Sequence, residues 1–527
     1  MTSRNSIVGG LIVVVAASAA GVFWSAVLWP VLVVSAALLA LAIHDLVQTK
    51  HSLLRNYPII GWARFAAEHI RPEIQQYFVE SDTSGTPFDR ETRAVIYQRA
   101  KGAHDKVPFG TQIDVYEPGH ELLSHSMRPV PQLEEEPRVA FGDSTNGEVY
   151  EASRLNVSAM SYGALSANAV MALNLAAKKG GFAHNTGEGG ISPYHREHGG
   201  DLIWQVGTGY FGCRDMVGRF DRDRFAETAA TSTVKMIEVK LSQGAKPGHG
   251  GILPAAKLTP EIAEIRGVPL GHDVISPAFH TAFDTPRQLI DWVAELRELA
   301  GGKPVGFKLC AGRRREFLAL CKAMLEADET PDFITIDGSE GGTGAAPLEL
   351  TNSVGLPLKD GLSLAHQALI ATGLRDRLRL VAAGKVSTGF DILRLQSLGA
   401  DGCNAARPMM MALGCIQARK CHNNECPVGI ATQDPRRGRA LVVEHKADRV
   451  HRFHNATIEG YLELLAGAGL DDPEQVTPAL IQQRKPDGSL MSIADEFHMD
   501  PLALLIGDSD LDDGWRKDWE LASADRF

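Results

Sequence analysis

Three cysteines stand close together in GCIQARKCHNNECPVG, residues 414–429: Cys415, Cys421 and Cys426, the last followed by Pro427. Closely spaced thiolates on one loop that ends in Cys-Pro are the ligands an iron–sulfur core takes from protein. Three ligands, not four, suit a cubane that lacks one iron. A zinc site is the competing reading; it needs a fourth ligand, and His422, adjacent to Cys421, points elsewhere unless the backbone turns sharply. Structural thiols are the plainer alternative, but His422, Asn423, Asn424 and Glu425 between two of the cysteines do not resemble a core segment.

A second set of chemical groups precedes this loop. Glu188 lies in HNTGEGG (184–190), where glycines leave it little shielded. KLSQGAKPGHGG (240–251) spaces Lys240, Gln243 and Lys246 three residues apart. Two ammonium groups and an amide beside glycine-rich backbone suit a dicarboxylate or an anionic flavin. Most lysines are solvated surface residues, whereas Lys240 falls inside an apolar run. The turns IDGSEGGTGAAP (336–347) and AAGKVSTG (382–389) each open a helix, an arrangement that binds phosphate through backbone N–H groups and implies a phosphate-bearing cofactor.

These groups must be held by a scaffold, and apolar runs recur to provide one. They are Leu155 to Met160, Phe182 to His184, Met236 to Leu241, Asp273 to Ser276, Val305 to Leu309, Phe333 to Ile336, Leu378 to Ala383 and Gly402 to Ala405, with helical stretches between. Strand alternating with helix eight times predicts a (β/α)8 barrel, with functional residues at the C-terminal strand ends. A doubly wound open sheet is the runner-up. GTGYFG (207–212) matches the dinucleotide pattern, but no βαβ unit surrounds it, so no NAD domain is expected.

With 527 residues, the expected organisation is a hairpin over 1–50, a connecting region over 51–150 packed on the barrel, a barrel over 151–470 and an extension over 471–527. The net charge of −11 and the lack of a basic stretch interleaved with aromatics exclude a nucleic-acid partner. Asp508 to Asp513 reads as a solvated acidic surface. Seven cysteines in so long a chain form no disulfide framework and suit a reducing compartment. From Ile7 to Ile43 no residue is charged. As one helix that run would reach about 55 Å, too long for one span. Two spans, 7–22 and 31–46, turning near Trp24, Trp29 and Pro30, fit better than a signal peptide. Arg4, Lys50, Arg55 and Arg64 place both ends, and the catalytic part, on the cytoplasmic side of a membrane.

From about Ser158 to Pro435 the chain resembles the FMN-binding synthase domain of glutamate synthase, through SYGALS, NTGEGG, KLSQGAKPGHGG, DGSEGGTGAAP, AGKVSTG and GCIQARKCHNNECPVGIATQDP in that order. The resemblance implies a (β/α)8 TIM barrel with FMN and a [3Fe-4S] cluster on Cys415, Cys421 and Cys426. It implies an oxidoreductase that makes 2-iminoglutarate from 2-oxoglutarate and ammonia and reduces it to L-glutamate. Lys240, Lys246 and Glu188 match catalytic positions, and Gln243, Lys240, Lys246 and Arg266 match substrate positions. Ser161, Gln243, Lys308, Gly341, Gly342, Gly384 and Lys385 match cofactor positions.

There are departures. The chain opens Met-Thr-Ser-Arg where the glutamine-dependent enzyme has a glutaminase domain with an N-terminal Cys, and it has no long β-solenoid after the barrel. Nitrogen and electrons are therefore expected from partners, a separate amidotransferase subunit and an external donor such as ferredoxin. His249 stands where the family has Glu. An N-methylglutamate synthase-like enzyme, or another FMN oxidoreductase with a different acceptor, stays open, as does a non-catalytic membrane-tethered electron-transfer module.

Overall fold

A computed structural model describes residues 4–103, 106–107, 109–142, 147–499 and 513–527. The chain divides into two compact units, 1–91 and 92–527. The division falls inside the expected connecting region.

In the second unit eight parallel strands close into a barrel. In chain order they are β1 (Leu155–Val157), β2 (His184–Asn185), β3 (Leu202–Val206), β4 (Val234–Lys240), β5 (Val305–Leu309), β6 (Phe333–Asp337), β7 (Arg379–Gly384) and β8 (Gly402–Ala405). Each strand pairs with the next, and β8 returns to β1 with Cys403 opposite Leu155.

One expected strand was misplaced. Asp273 to Ser276 is not in the barrel: Val274–Ile275 pairs antiparallel with Ile252–Leu253, in the long excursion between β4 and β5. The strand in its place is β3, the apolar run that leads into GTGYFG. All five of its residues are buried, and Gln205 points into the barrel, which breaks the apolar pattern without exposing the strand.

Helices cover the barrel because their apolar faces have only the strands to pack against. Ala167–Gly180 starts where the Ser166 hydroxyl accepts the Ala169 N–H and stops at Gly181, whose φ of 62° suits glycine. It packs on the 26-residue helix Val443–Ala468. The other end of the barrel is apolar. There the antiparallel pair Val139–Phe141 and Tyr150–Ala152 sets Phe141 edge-on to Phe333, 5.7 Å between centroids, in a cluster with Ile203, Met236 and Val381. Ile481–Arg484 pairs with both Glu121–Leu123 and Leu490–Ser492. Of the acidic segment Asp508 to Asp513, residues 508–512 lie outside the described residues.

In the first unit, the helices Arg4–Val22 and Trp29–Val47 are joined by the turn Ala26–Leu28 and meet at Ser18 and Ser35, whose hydroxyls are 3.4 Å apart. Both are long and apolar enough to cross a membrane by length and composition. The buried carboxylate of Asp45 accepts the Ile59 N–H and the Trp62 indole N–H, tying the end of the second helix to the start of Gly61–Ile74.

Candidate functional site

The barrel mouth is built from the loops that follow the strands. β2 ends one residue before Thr186, and Gly187 and Gly190 turn the loop with φ of 63° and 82° so that Glu188 faces inward. Its carboxylate is packed between Gly207 and Gly251, where a Cβ at either position would collide with it. The glycines of GTGYFG thus begin with one that makes room for Glu188.

Lys240, the last residue of β4, is 5% exposed and gives its ammonium to Glu188 Oε1 at 2.8 Å. Lys246 and Arg266 are buried in the same neighbourhood and act electrostatically on Glu188. Burial alone would raise the Glu188 carboxyl; Lys240, then Lys246 and Arg266, outweigh it and hold the group below its ordinary range. Burial and the like charge of Lys240 bring Lys246 down to about 8, against the pull of Glu188. Burial lowers Arg266 to about 10, again against Glu188. Arg266 Nη2 donates to the Tyr162 carbonyl at 3.3 Å and to Ser161 Oγ at 3.4 Å, and its guanidinium lies over the Phe211 ring. Gln243 is half-buried in the same β4 loop, with its carbonyl accepting the Lys246 N–H.

The position of Lys240 is itself fixed. His280 Nε2 lies 2.9 Å from the Lys240 carbonyl, which can only accept, so this nitrogen carries the proton. Nδ1 then accepts from the Tyr210 hydroxyl at 3.2 Å, and that oxygen accepts the N–H groups of Thr281 and Ala282. Burial lowers His280 to about 4, so the ring is a neutral brace at neutral pH.

Sequence reasoning missed both His280 and Tyr210, which come from the excursion and from the GTGYFG loop. It also missed a polar layer beneath Lys240. Glu238, two residues earlier on the same strand face, accepts from Gln205 Nε2 at 2.8 Å and Asn185 Nδ2 at 3.1 Å. Burial raises the Glu238 carboxyl, in spite of nearby Lys308. Lys308, opposite Lys240 on β5, is buried with its ammonium 3.7 Å from Asp337 Oδ2. The period-2 alternation of β4 was the available signal for Glu238.

The other predicted cofactor positions follow the later strands. Gly341 and Gly342 follow β6, and Gly384 and Lys385 close β7. Arg407, which follows β8 in AARP, donates to the Glu340 carbonyl at 2.9 Å and lies against Gly342. Beyond β7, Asp391 forms the capping box of the helix Gly389–Ser397, giving its own N–H to the Thr388 hydroxyl and accepting the N–H groups of Ser387 and Thr388. Glu340 accepts the N–H of Leu358, the first residue of the helix Leu358–Ala371.

After β8 and the short helix Arg407–Leu413 comes the thiol loop, bent by positive φ at Gln417, Arg419 and Asn424. All three thiols are free. The Gln417 N–H donates to Cys415 Sγ at 3.5 Å, and the Tyr97 hydroxyl donates to the Cys415 carbonyl at 2.7 Å. Burial, together with the charges of Cys421 and Cys426, pushes the Cys415 thiol up to about 11. Burial and Cys426 raise Cys421 against the opposing pull of Lys257. His422 is exposed, and among the described residues no three His, Cys, Asp or Glu side chains converge on a single metal ion.

Known proteins bear on this arrangement. Residues 111–471 match the family model described as a conserved region in glutamate synthase. The chain is 36% identical over 499 residues to the glutamate synthase large subunit-like protein YerD of Bacillus subtilis, covering 86% of this chain and 94% of that protein. To the archaeal-type glutamate synthase [NADPH] of Thermotoga neapolitana it is 35% identical over 321 residues, covering 60% of each. Among solved structures, a mutant of a chimeric (S)-mandelate dehydrogenase is 14% identical with a TM-score of 0.43, covering 80% of this chain and 98% of that one. On the family match and the identity to YerD, the chain belongs to the glutamate synthase family of oxidoreductases.

Proposed function

We propose that the protein is a membrane-anchored oxidoreductase, dependent on FMN and a [3Fe-4S] cluster, that forms L-glutamate from 2-oxoglutarate and ammonia by way of 2-iminoglutarate. Electrons come from an external carrier such as ferredoxin, and ammonia from a partner amidotransferase or from solution. The observation that carries this reading is the buried Glu188–Lys240 pair with Lys246 and Arg266 around it. Three cations against one carboxylate leave two positive charges, the number a dicarboxylate neutralises.

The residues at hand fit both cofactors. Cys426 is buried, Cys415 and Cys421 are partly so, and all three thiols are free; closely spaced thiols on one loop suit a cationic core in which each thiolate holds a separate iron. For FMN, the turn after β6 lies against a cation: a Cβ at Gly342 would fall 2.9 Å from the Arg407 guanidinium, which suits a phosphate bound at that turn. The phosphate is held by Gly341, Gly342 and Gly384 with Lys385 and Arg407, at the turns that follow β6 and β7. Ser161, Gln243 and Lys308 are assigned to the flavin ring. When bound, FMN supplies the hydride and the cluster supplies single electrons.

The chain's own residues then have separate tasks. Arg266 and Lys240 hold the substrate carboxylates, with His280 bracing Lys240 through its carbonyl. Lys246, brought to about 8, gives a proton from Nζ to the imine nitrogen and regains it near neutral pH. Glu188 keeps Lys240 charged and oriented. The apolar helices Arg4–Val22 and Trp29–Val47 support a hairpin anchor, and Lys50, Arg55 and Arg64 after it support a cytoplasmic barrel.

The test is flavin reoxidation. Iron-loaded protein, reduced anaerobically with dithionite, is expected to reoxidise with 2-oxoglutarate plus ammonium and not with 2-oxoglutarate alone. Reoxidation by neither mixture, or equally by both, removes the reading. Methylamine in place of ammonium separates glutamate formation from an N-methylglutamate-type reaction, a distinction His249 in place of Glu makes worthwhile.

A further inference from the structure

We infer that the buried ammonium of Lys257 raises the reduction potential of the iron–sulfur core held by Cys415, Cys421 and Cys426. This rests on the reading of the thiol loop as a cluster site.

Lys257 closes the short turn Ala255–Lys257, on the excursion that follows β4, and is 3% exposed. Lysines are almost never so buried unless paired. Its hydrogen bonds go to two carbonyls, Ala164 at 2.6 Å and Cys421 at 3.5 Å. Among the described residues no carboxylate pairs with it. The anionic groups that act on it are the thiols of Cys421 and Cys426, and its other charged neighbour, Arg266, repels it. A buried cation whose hydrogen bonds go to two carbonyls, one of them that of Cys421, has no carboxylate to neutralise it, and thiolates holding iron on the same loop would supply the countercharge.

The placement is rigid. Asn424, between Cys421 and Cys426, donates to the Ala256 carbonyl at 3.1 Å, and its own carbonyl and side-chain oxygen are held by Thr432 and the Gln433 N–H. Gln433 Nε2 donates to the Leu165 carbonyl at 2.7 Å, and Ser166 Oγ to that of Gly429 at 2.7 Å. The β1 loop, the Lys257 turn and the thiol loop are therefore one knitted unit. Lys257 cannot swing away from the sulfurs as a surface lysine would.

The consequence follows from charge. Reduction adds one electron to the thiolate-held iron and needs no proton, so the site becomes more negative by one unit. A fixed positive charge in a poorly solvated position favours that state, and net charge is one of the levers that set cluster potentials.

The experiment is a redox titration of the full-length, iron-loaded protein, followed by the electron paramagnetic resonance of the oxidised cluster, with iron, sulfide and flavin contents measured on each sample. Lys257→Met, which keeps the volume and removes the charge, is expected to lower the midpoint potential so that the reduced-to-oxidised ratio at a fixed ambient potential falls about tenfold, which is 59 mV for one electron. Lys257→Gln is expected to do the same, and Lys257→Arg to stay near the parent. The shift is expected to persist at high ionic strength, because a buried charge is little screened. An unchanged potential in both neutral variants overturns the inference. Iron lost from both neutral variants, with Lys257→Arg retaining it, also overturns it, since the residue would then be a structural tie. A parent protein that takes up no iron removes the cluster reading itself and is told apart from either result by the iron analysis.

Discussion

At the barrel mouth three cations surround one carboxylate; at the thiol loop one buried cation, Lys257, faces Cys421 and Cys426. Lys240, Lys246 and Arg266 hold Glu188 below its ordinary range, while burial and the charge of one another hold Cys415 and Cys421 above theirs. The two regions are thus charged in opposite senses, and each is completed by a ligand of opposite sign. An excess of buried positive charge selects an anion small enough to enter the mouth. Crowded thiols select a cationic metal core, which draws off their protons as it binds. The proposed roles divide along the same line, substrate binding at the mouth and electron transfer at the loop.

The thiol loop yields the largest expected effect. Replacing Cys415, Cys421 or Cys426 by Ser is expected to bring iron and sulfide to near zero while flavin content stays at the parental level. Flavin loss in step with iron would join the two regions into one unit and break the separation.

At the mouth, Lys240→Met is expected to cost about 3 kcal/mol of stability in denaturant unfolding, the lower end for breaking a buried ion pair, because Lys246 and Arg266 still face Glu188. Reoxidation of the flavin by 2-oxoglutarate and ammonium is expected to be lost. Adding Glu188→Gln to Lys240→Met should recover part of the stability and none of the activity, since the stranded charge is gone but the site is not rebuilt. A double variant no more stable than the single one would mean the pair is not coupled.

The pH dependence is smaller and falls on Lys246. Its ammonium is brought down to about 8, so the charged form that adds to the positive charge of the mouth and donates a proton is present below that pH and lost above it. The apparent affinity for 2-oxoglutarate is expected to fall as pH rises through about 8. In Lys246→Arg, whose charge persists, that fall should disappear from the binding profile while turnover drops for want of a transferable proton. A parent profile flat from pH 7 to 9 would remove Lys246 from the substrate's surroundings.

How much of this was legible in the chain depends on the kind of signal. The barrel was readable because apolar runs alternate with helical stretches, and Glu188, Lys240 and the three cysteines stood out as chemical groups in glycine-rich or polar loops. β3 was not, since Gln205 interrupts its run and the glycines after it imitate a dinucleotide motif; Asp273 to Ser276 took its place because two apolar residues between turn signals look alike in or out of a barrel. Arg266 was found through resemblance, whereas His280, Tyr210 and Lys257 were not found at all. Each acts through a contact to a residue far away in sequence, His280 to the Lys240 carbonyl and Lys257 to those of Ala164 and Cys421, and no local spacing encodes such a contact.

The smallest effect tests whether the loop can be loosened without touching the mouth. Tyr97 donates its hydroxyl to the Cys415 carbonyl at 2.7 Å, a tie from the helix Arg90–Lys101 to the first cysteine. Removing one such hydrogen bond costs about 1 kcal/mol. Tyr97→Phe is therefore expected to keep its iron but release it to a chelator roughly fivefold faster, a factor that corresponds to this energy. The Michaelis constant for 2-oxoglutarate should stay at the parental value, because the contact is made to the backbone of the loop and not to Glu188, Lys240 or Lys246. If the constant rises together with the rate of iron loss, the thiol loop and the mouth move as one body, and the opposite charges of the two regions belong to a single site.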